Sequence, residues 1–128
     1  MLEKKLRVLL VDDEEGLRRT MRKMLERRGC EVVGEGADGV EGVEAARDTS
    51  FDVVLTDLRM PNMDGLEMTR QIKAMAPQVP VVVFSAYADA SLQAEGVEAG
   101  VAAWVLKGTA AEEVVRALHA AVATPPAQ

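Results

Sequence analysis

The chain has 128 residues, 48% of them hydrophobic in type, a formal charge of −6 and a single cysteine. That is enough chain for one domain with a real core and too little for two, and the acidic balance opposes direct nucleic-acid binding, because phosphate backbones attract basic surfaces. No apolar run approaches the roughly 20 residues of a membrane span, and Met1–Leu10 carries Lys4, Lys5 and Arg7 where a signal peptide needs an apolar stretch, so a cytoplasmic, membrane-free location is expected. Cys30 can form no internal disulfide, has no histidine close to it in sequence, and reads as filler near a turn.

Strand-like and helix-like stretches alternate along the chain. After the apolar run Val8–Val11, Leu17, Met21, Met24 and Leu25 recur at helical spacing and Gly29 follows as a stop, which gives a helix over about Glu14–Arg28. Glu31–Glu35 is a short second strand, and Asp38 with Glu41 reads as a capping box for a helix through Val43, Ala46 and Arg47. Asp52–Thr56 is the third strand. Pro61 ends the loop after it, Asp64 with Glu67 forms a second capping box, and the helix carrying Leu66, Met68, Ile72 and Met75 stops before Pro77 and Pro80. Val81–Phe84 is an unbroken apolar run that suits an inner strand buried on both faces. A weaker helix over about Asp89–Ala99 contains Gly96, which costs about 1 kcal/mol relative to alanine, so this helix should be the least rigid. Ala102–Leu106 is the fifth strand, and Thr109 with Glu112 should cap a last helix through Val114, Val115, Leu118 and Val122.

Five such units with right-handed crossovers favour an α/β fold: a doubly wound five-stranded parallel sheet in the flavodoxin-like order 2-1-3-4-5, with five helices. Four of the apolar runs end in polar residues, namely Asp12-Asp13, Asp57, Ser85 and Lys107. Parallel strands bring these to one edge, and the carboxyl edge of an open α/β sheet is its ligand crevice.

In this order, Asp12-Asp13-Glu14, Asp57-Leu58-Arg59-Met60-Pro61-Asn62-Met63-Asp64-Gly65, Ser85-Ala86 and Trp104-Val105-Leu106-Lys107 resemble the receiver (CheY-like) domain of bacterial two-component response regulators, over about Leu6–Val122. The resemblance implies a phosphorylation-dependent switch. A sensor histidine kinase or phosphotransfer protein would give its phosphoryl group to Asp57, and the face around the fourth helix, fifth strand and fifth helix would change what it binds. It implies Mg²⁺ held directly by Asp13 and Asp57, by Asp12 mainly through water, and by the carbonyl of Arg59. Lys107 and Ser85 would each contact a phosphoryl oxygen, and Trp104 occupies the aromatic position that moves with Ser85. Residues 1–123 would be the receiver and 124–128 a tail or linker stub. The chain would take part in its own aspartyl phosphorylation and dephosphorylation without being an enzyme for a separate substrate. An effector domain or downstream protein, and a second copy on activation, are further partners the resemblance brings.

The charges make chemical sense of this set. A carboxylate that attacks a phosphoryl group meets strong repulsion, so a site must neutralise the developing oxygens and hold the reactants in line. Clustered carboxylates repel one another, and their hard oxygens suit Mg²⁺, which takes few protein ligands and keeps several waters. Asp57 is then the nucleophile, Lys107 a compact point charge and Ser85 a hydroxyl donor.

Blander explanations exist for single residues. Acidic residues at a helix start are commonly caps or dipole partners, which alone would account for Asp12-Asp13; Asp57 precedes a loop and lacks that explanation. The capping box accounts for Asp64, which receives no catalytic role. Ser85 alone would be an ordinary strand-end hydroxyl, and Trp104 a large apolar cover for the sheet, with Tyr87 or Val101 able to hold its ring. His119 reads as a solvated residue near a helix end. A phosphohydrolase forming an aspartyl phosphate would resemble Asp-x-Asp at the nucleophilic strand, whereas Asp57-Leu58-Arg59 lacks the second acid. A nucleotide-binding module would want a Gly- or Ser/Thr-rich loop after the first strand, where Asp12-Asp13-Glu14-Glu15 would repel phosphate. Two departures from the receiver pattern stand out: Gly108 follows Lys107 where proline is usual, often in cis, and Trp104 replaces the commoner tyrosine or phenylalanine. The stretch Lys107–Glu113 resembles the subclass whose receivers precede a helix-turn-helix domain, so the chain reads as a stand-alone receiver or as the receiver part of a longer protein.

Overall fold

The computed structural model describes residues 4–86 and 89–124; Tyr87 and the tail beyond Thr124 lie outside the described residues. Its elements are β1 Leu6–Val11, α1 Glu15–Arg27, β2 Cys30–Gly36, α2 Gly39–Asp48, β3 Val53–Thr56, α3 Gly65–Met75, β4 Val81–Ser85, α4 Ala90–Ala99, β5 Val101–Leu106 and α5 Ala111–Ala123. All strand pairs are parallel and the order is β2-β1-β3-β4-β5, as the alternation of elements leads one to expect. β3 starts one residue late for a local reason. The Asp52 carboxylate accepts the Arg7 N–H at 2.9 Å, so Asp52 ties the start of β3 to β1 through its side chain.

Side chains alternate across a strand, so each strand feeds two cores. Leu6, Val8, Leu10, Val53, Leu55, Val82 and Phe84 meet Met21 and Leu25 of α1 and Val114, Val115 and Leu118 of α5. On the other face, Leu9, Val11, Val54 and Val81 meet Val43 of α2 and Met68 and Ile72 of α3, while Val83 packs with Leu66 and Ala99. β4 is buried along its whole length, which is why its sequence is apolar on both faces. Cys30 opens β2 and is buried in the first core, where burial pushes its thiol pKa up.

Asp38 and Asp64 cap α2 and α3, accepting the N–H of Glu41 at 2.9 Å and of Glu67 at 2.8 Å. Glu41 reaches back to the Ala37 N–H, one residue beyond the cap, and Glu67 turns instead to Arg70 and Gln71, so neither box is fully reciprocal. The expected Thr109/Glu112 cap of α5 does not form: the helix begins at Ala111 behind Ala110, which gives no side-chain cap. The reason is the preceding turn. Thr109 N–H closes onto Leu106 O at 3.1 Å, and Glu112 is drawn to Arg28 of α1 at 3.0 Å.

Gly96 proves to be buried. A Cβ there would lie 2.9 Å from the Trp104 ring, so the missing side chain seats the indole against α4. The helix still packs lightly, burying only Gly96 and Ala99 and leaving Val97 74% exposed. Gly65 has a backbone neighbour, since a Cβ there would stand 2.3 Å from the Asp57 carbonyl. Gly65→Ala should therefore destabilise the protein by about 2–3 kcal/mol in urea unfolding, an overpacking cost the main chain cannot relieve. Gly16→Ala in α1, which meets nothing within 4 Å, should instead stabilise by about 0.5–1 kcal/mol. Equal effects at the two sites would contradict the close approach at Gly65.

Candidate functional site

Backbone hydrogen bonds just past the strand ends assemble the site. Asp12 N–H donates to Gly36 O at 3.0 Å, Asp57 N–H to Val11 O at 2.9 Å, and Lys107 N–H to Ser85 O at 2.8 Å. The sheet pairing thus extends into the loops and sets the polar residues side by side. Carboxylate oxygens of Asp12, Asp13 and Asp57 lie within 4.8 Å of one another, with Asp12 buried, Asp57 partly buried and Asp13 exposed. Lys107 faces them, its Nζ 3.3 Å from Asp57 Oδ2 and 3.7 Å from Asp12 Oδ2, with the Phe84 ring centroid 6.0 Å away.

Each carboxylate is held in place. Asp12 Oδ1 accepts the Glu14 N–H at 2.9 Å and Asp57 Oδ1 the Leu58 N–H at 2.8 Å. Burial pushes the Asp12 pKa up; the Glu14 bond opposes this, Asp57 adds to it, Lys107 opposes it and Asp13 adds to it again. Repulsion from Asp57 and Asp13 is therefore built into the unliganded cluster. Three hard carboxylates, open to solvent on the Asp13 side, form a donor set that fits Mg²⁺.

Ser85 ends β4 with its side chain buried, 1% exposed, and its carbonyl bonded to Lys107. Arg59 sits exposed in the loop after β3. Trp104 is not in the carboxylate cluster: it pairs with Val83 along the sheet and packs on the group formed by Leu58, Leu66, Val83 and Ala99. Leu58 adjoins Asp57, so the indole shares a packing cluster with the residue next to the central carboxylate. The Lys107–Gly108 peptide is trans, as no cis bond occurs among the described residues, and Gly108 has φ +95°, a left-handed conformation that favours glycine in this position of a turn.

Sequence reasoning missed the bracing of the loop after β3. Asp38 Oδ2 accepts the Asn62 amide at 2.7 Å, Asn62 itself adopts φ 69°, and Gly39 N–H donates to Met63 O at 2.9 Å. The Glu41 N–H and then the Asn62 amide hold the Asp38 carboxyl below its ordinary range. The usable signal was Pro61-Asn62, since asparagine tolerates the left-handed region better than most residues.

A family model described as the response regulator receiver domain matches residues 8–119. The chain is 40% identical over 113 residues to the response regulator UvrY of Escherichia coli K12, covering 88% of this chain and 52% of the relative. It is 39% identical over 117 residues to the transcriptional regulatory protein LiaR of Bacillus subtilis 168, covering 91% of this chain and 56% of the relative. The chain thus spans about half the length of the curated relatives it matches. Among solved structures, a two-component response regulator of the LuxR family from Aurantimonas sp. SI85-9A1 superposes with a TM-score of 0.90 at 32% identity, covering 98% of this chain and 90% of the other. The response regulator domain of Thermotoga maritima CheB gives 0.87 at 27% identity, with 96% and 100% covered.

The cluster electrostatics generate a test. Asp13→Asn removes one repelling carboxylate and should raise metal-free stability by about 1 kcal/mol, the scale of two charges some 4 Å apart in water. In the wild type, Mg²⁺ that binds only the folded state should stabilise by about 2.7 kcal/mol at one hundred times its Kd. The variant should show a smaller Mg²⁺-induced rise in Tm. A variant that melts lower without metal and responds fully to Mg²⁺ would contradict the cluster model.

Proposed function

The chain belongs to the response regulator receiver domain family, whose general function is phosphorylation-dependent signalling, and from this premise we propose that Asp57 is its phosphoryl acceptor. The observation that carries the assignment is the Asp57 carboxylate 3.3 Å from the Lys107 ammonium and clustered with Asp12 and Asp13. An Asp57 oxygen forms a bond to phosphorus as the donor's P–N or P–O bond breaks, and the bonding pair leaves with the donor. Lys107 pairs with a phosphoryl oxygen as a point charge, and the Ser85 hydroxyl donates to another. Asp13 and Asp57 would hold Mg²⁺ directly and Asp12 mainly through water, with the Arg59 carbonyl as a further ligand. Bound Mg²⁺ supplies neutralisation of the phosphoryl oxygens and of the crowded carboxylates.

The donor is a sensor histidine kinase or a phosphotransfer protein, the setting is the cytoplasm, and the chain contacts neither DNA nor membrane directly. No helix among the described residues is long and apolar enough to cross a membrane. The chain assists its own phosphorylation and dephosphorylation without acting as an enzyme on a separate substrate. The output lies around α4, β5 and α5, toward an effector domain, a downstream protein or a second copy of the chain.

With acetyl phosphate and Mg²⁺, the wild type should gain one phosphoryl mass in intact-mass measurement, and Asp57→Asn none. An undiminished gain in that variant would remove Asp57 from the acceptor role. The sole tryptophan supplies a second readout. Beryllium fluoride with Mg²⁺ should change Trp104 emission beyond the effect of Mg²⁺ alone, with the extra change lost in Asp57→Asn and reduced in Ser85→Ala. An unchanged spectrum at demonstrated saturation would mean that the signal leaves Asp57 by a route that does not move the indole.

A further inference from the structure

Arg18 lies on α1, outside the cluster of carboxylates and lysine, yet it spans the two strands on which the acidic loop rests. Its Nη1 donates to the Asp12 carbonyl at 2.6 Å and its Nε to Glu35 Oε1 at 3.1 Å, with the side chain only 17% exposed. Glu35 is on β2 and pairs with Leu10 of β1, just before the acidic residues. With this bond every polar group of Asp12 has a partner: its N–H on Gly36, its carbonyl on Arg18, Oδ1 on the Glu14 N–H and Oδ2 facing Lys107. The Asp12 carbonyl belongs to the peptide that joins Asp12 to Asp13, and a peptide unit is planar. Anchoring that oxygen restrains rotation of the peptide that joins the two side chains.

We propose that Arg18 is a positioning residue for the divalent cation: braced by Glu35, it orients the Asp12–Asp13 peptide so that both carboxylates point into the metal site. The proposal rests on the reading that this site takes Mg²⁺. A guanidinium suits the task because its rigid fork reaches two acceptors on different elements, whereas a lysine offers one point charge. Groups that orient metal ligands from behind typically change metal affinity by about 10–100-fold when removed.

Charge and bracing act in opposite directions here, so the sign of the effect separates them. Removing a cation beside three carboxylates should by charge alone tighten Mg²⁺ binding, whereas losing the brace should weaken it. Arg22 provides the control, since it pairs with the same Glu35 and with Glu26 but does not reach Asp12. The test is calorimetric titration of Mg²⁺ into the metal-free full chain at fixed ionic strength, with metal-free melting measured alongside. Arg18→Met should raise the Kd about tenfold, and Arg18→Lys should raise it too although its charge is kept. Arg22→Met should stay at the wild-type value or bind slightly tighter. Unchanged or tighter binding in Arg18→Met overturns the brace, as does an equal weakening in Arg22→Met. If Arg18→Met does not fold, Arg18→Lys decides by the same criterion. A wild type that takes up no Mg²⁺ overturns the metal reading itself, an outcome distinct from failure of the brace alone.

Discussion

Three carboxylates are held together against their own repulsion, and the force that holds them is the parallel sheet. Each like-charge pair near 4 Å costs about 1 kcal/mol in water and more where solvent is partly excluded. A backbone hydrogen bond contributes a net of about 1 kcal/mol. The bonds from Asp12 N–H to Gly36, from Asp57 N–H to Val11 and from Lys107 N–H to Ser85 continue the pairing past the strand ends, where it can be extended only if those residues sit side by side. Asp12 and Asp57 each then accept a neighbouring main-chain N–H, and Lys107 supplies an opposite charge. The remaining repulsion is what a bound cation would relieve.

The loops around this cluster are fixed from behind by residues that carry no chemistry. Arg18 and Glu35 hold the turn after β1, and Asp38, with Gly39, holds the loop after β3 through Asn62 and Met63. Gly65 lets α3 start directly against the Asp57 carbonyl, with its N–H donating to Leu58 O at 2.8 Å. Pre-organisation of this kind matters because an in-line phosphoryl transfer is catalysed almost wholly by placement and charge.

The sheet was legible because its signal is local and redundant. Val81–Phe84 suited an inner strand, and Asp38 and Asp64 announced helix starts by their own side chains. The grouping of the polar strand ends was legible for the same reason, since Asp12, Asp57, Ser85 and Lys107 each close an apolar run and a parallel sheet sends every such end to one edge. What escaped depends on chain reversal and on distant partners. Thr109 looked like a cap, but the positive φ at Gly108 shapes a turn that leaves Ala110 at the helix start, and no propensity of Thr109 records that. Gly96 looked like a weakness in α4, and only the register of β5 shows that Trp104 fills the space it leaves. Nothing in the sequence singled out Arg18 and Glu35, because the Asp12 carbonyl that Arg18 meets has no side-chain signature.

The packing around the carboxylate cluster is uneven. β4 is buried along its length and the sheet face under α1 and α5 carries the largest core, so neither yields cheaply. α4 buries two small residues, leaves Val97 exposed, and seats the Trp104 ring of β5 against Gly96. Segments with few buried apolar contacts open at lower free energy than the core around them. Trp104 packs in one cluster with Leu58, the residue that follows Asp57, and with Ala99 at the end of α4. The carboxylate cluster therefore lies between a fully buried strand and a lightly packed helix, with Leu58 and the indole in the group of side chains that links the two.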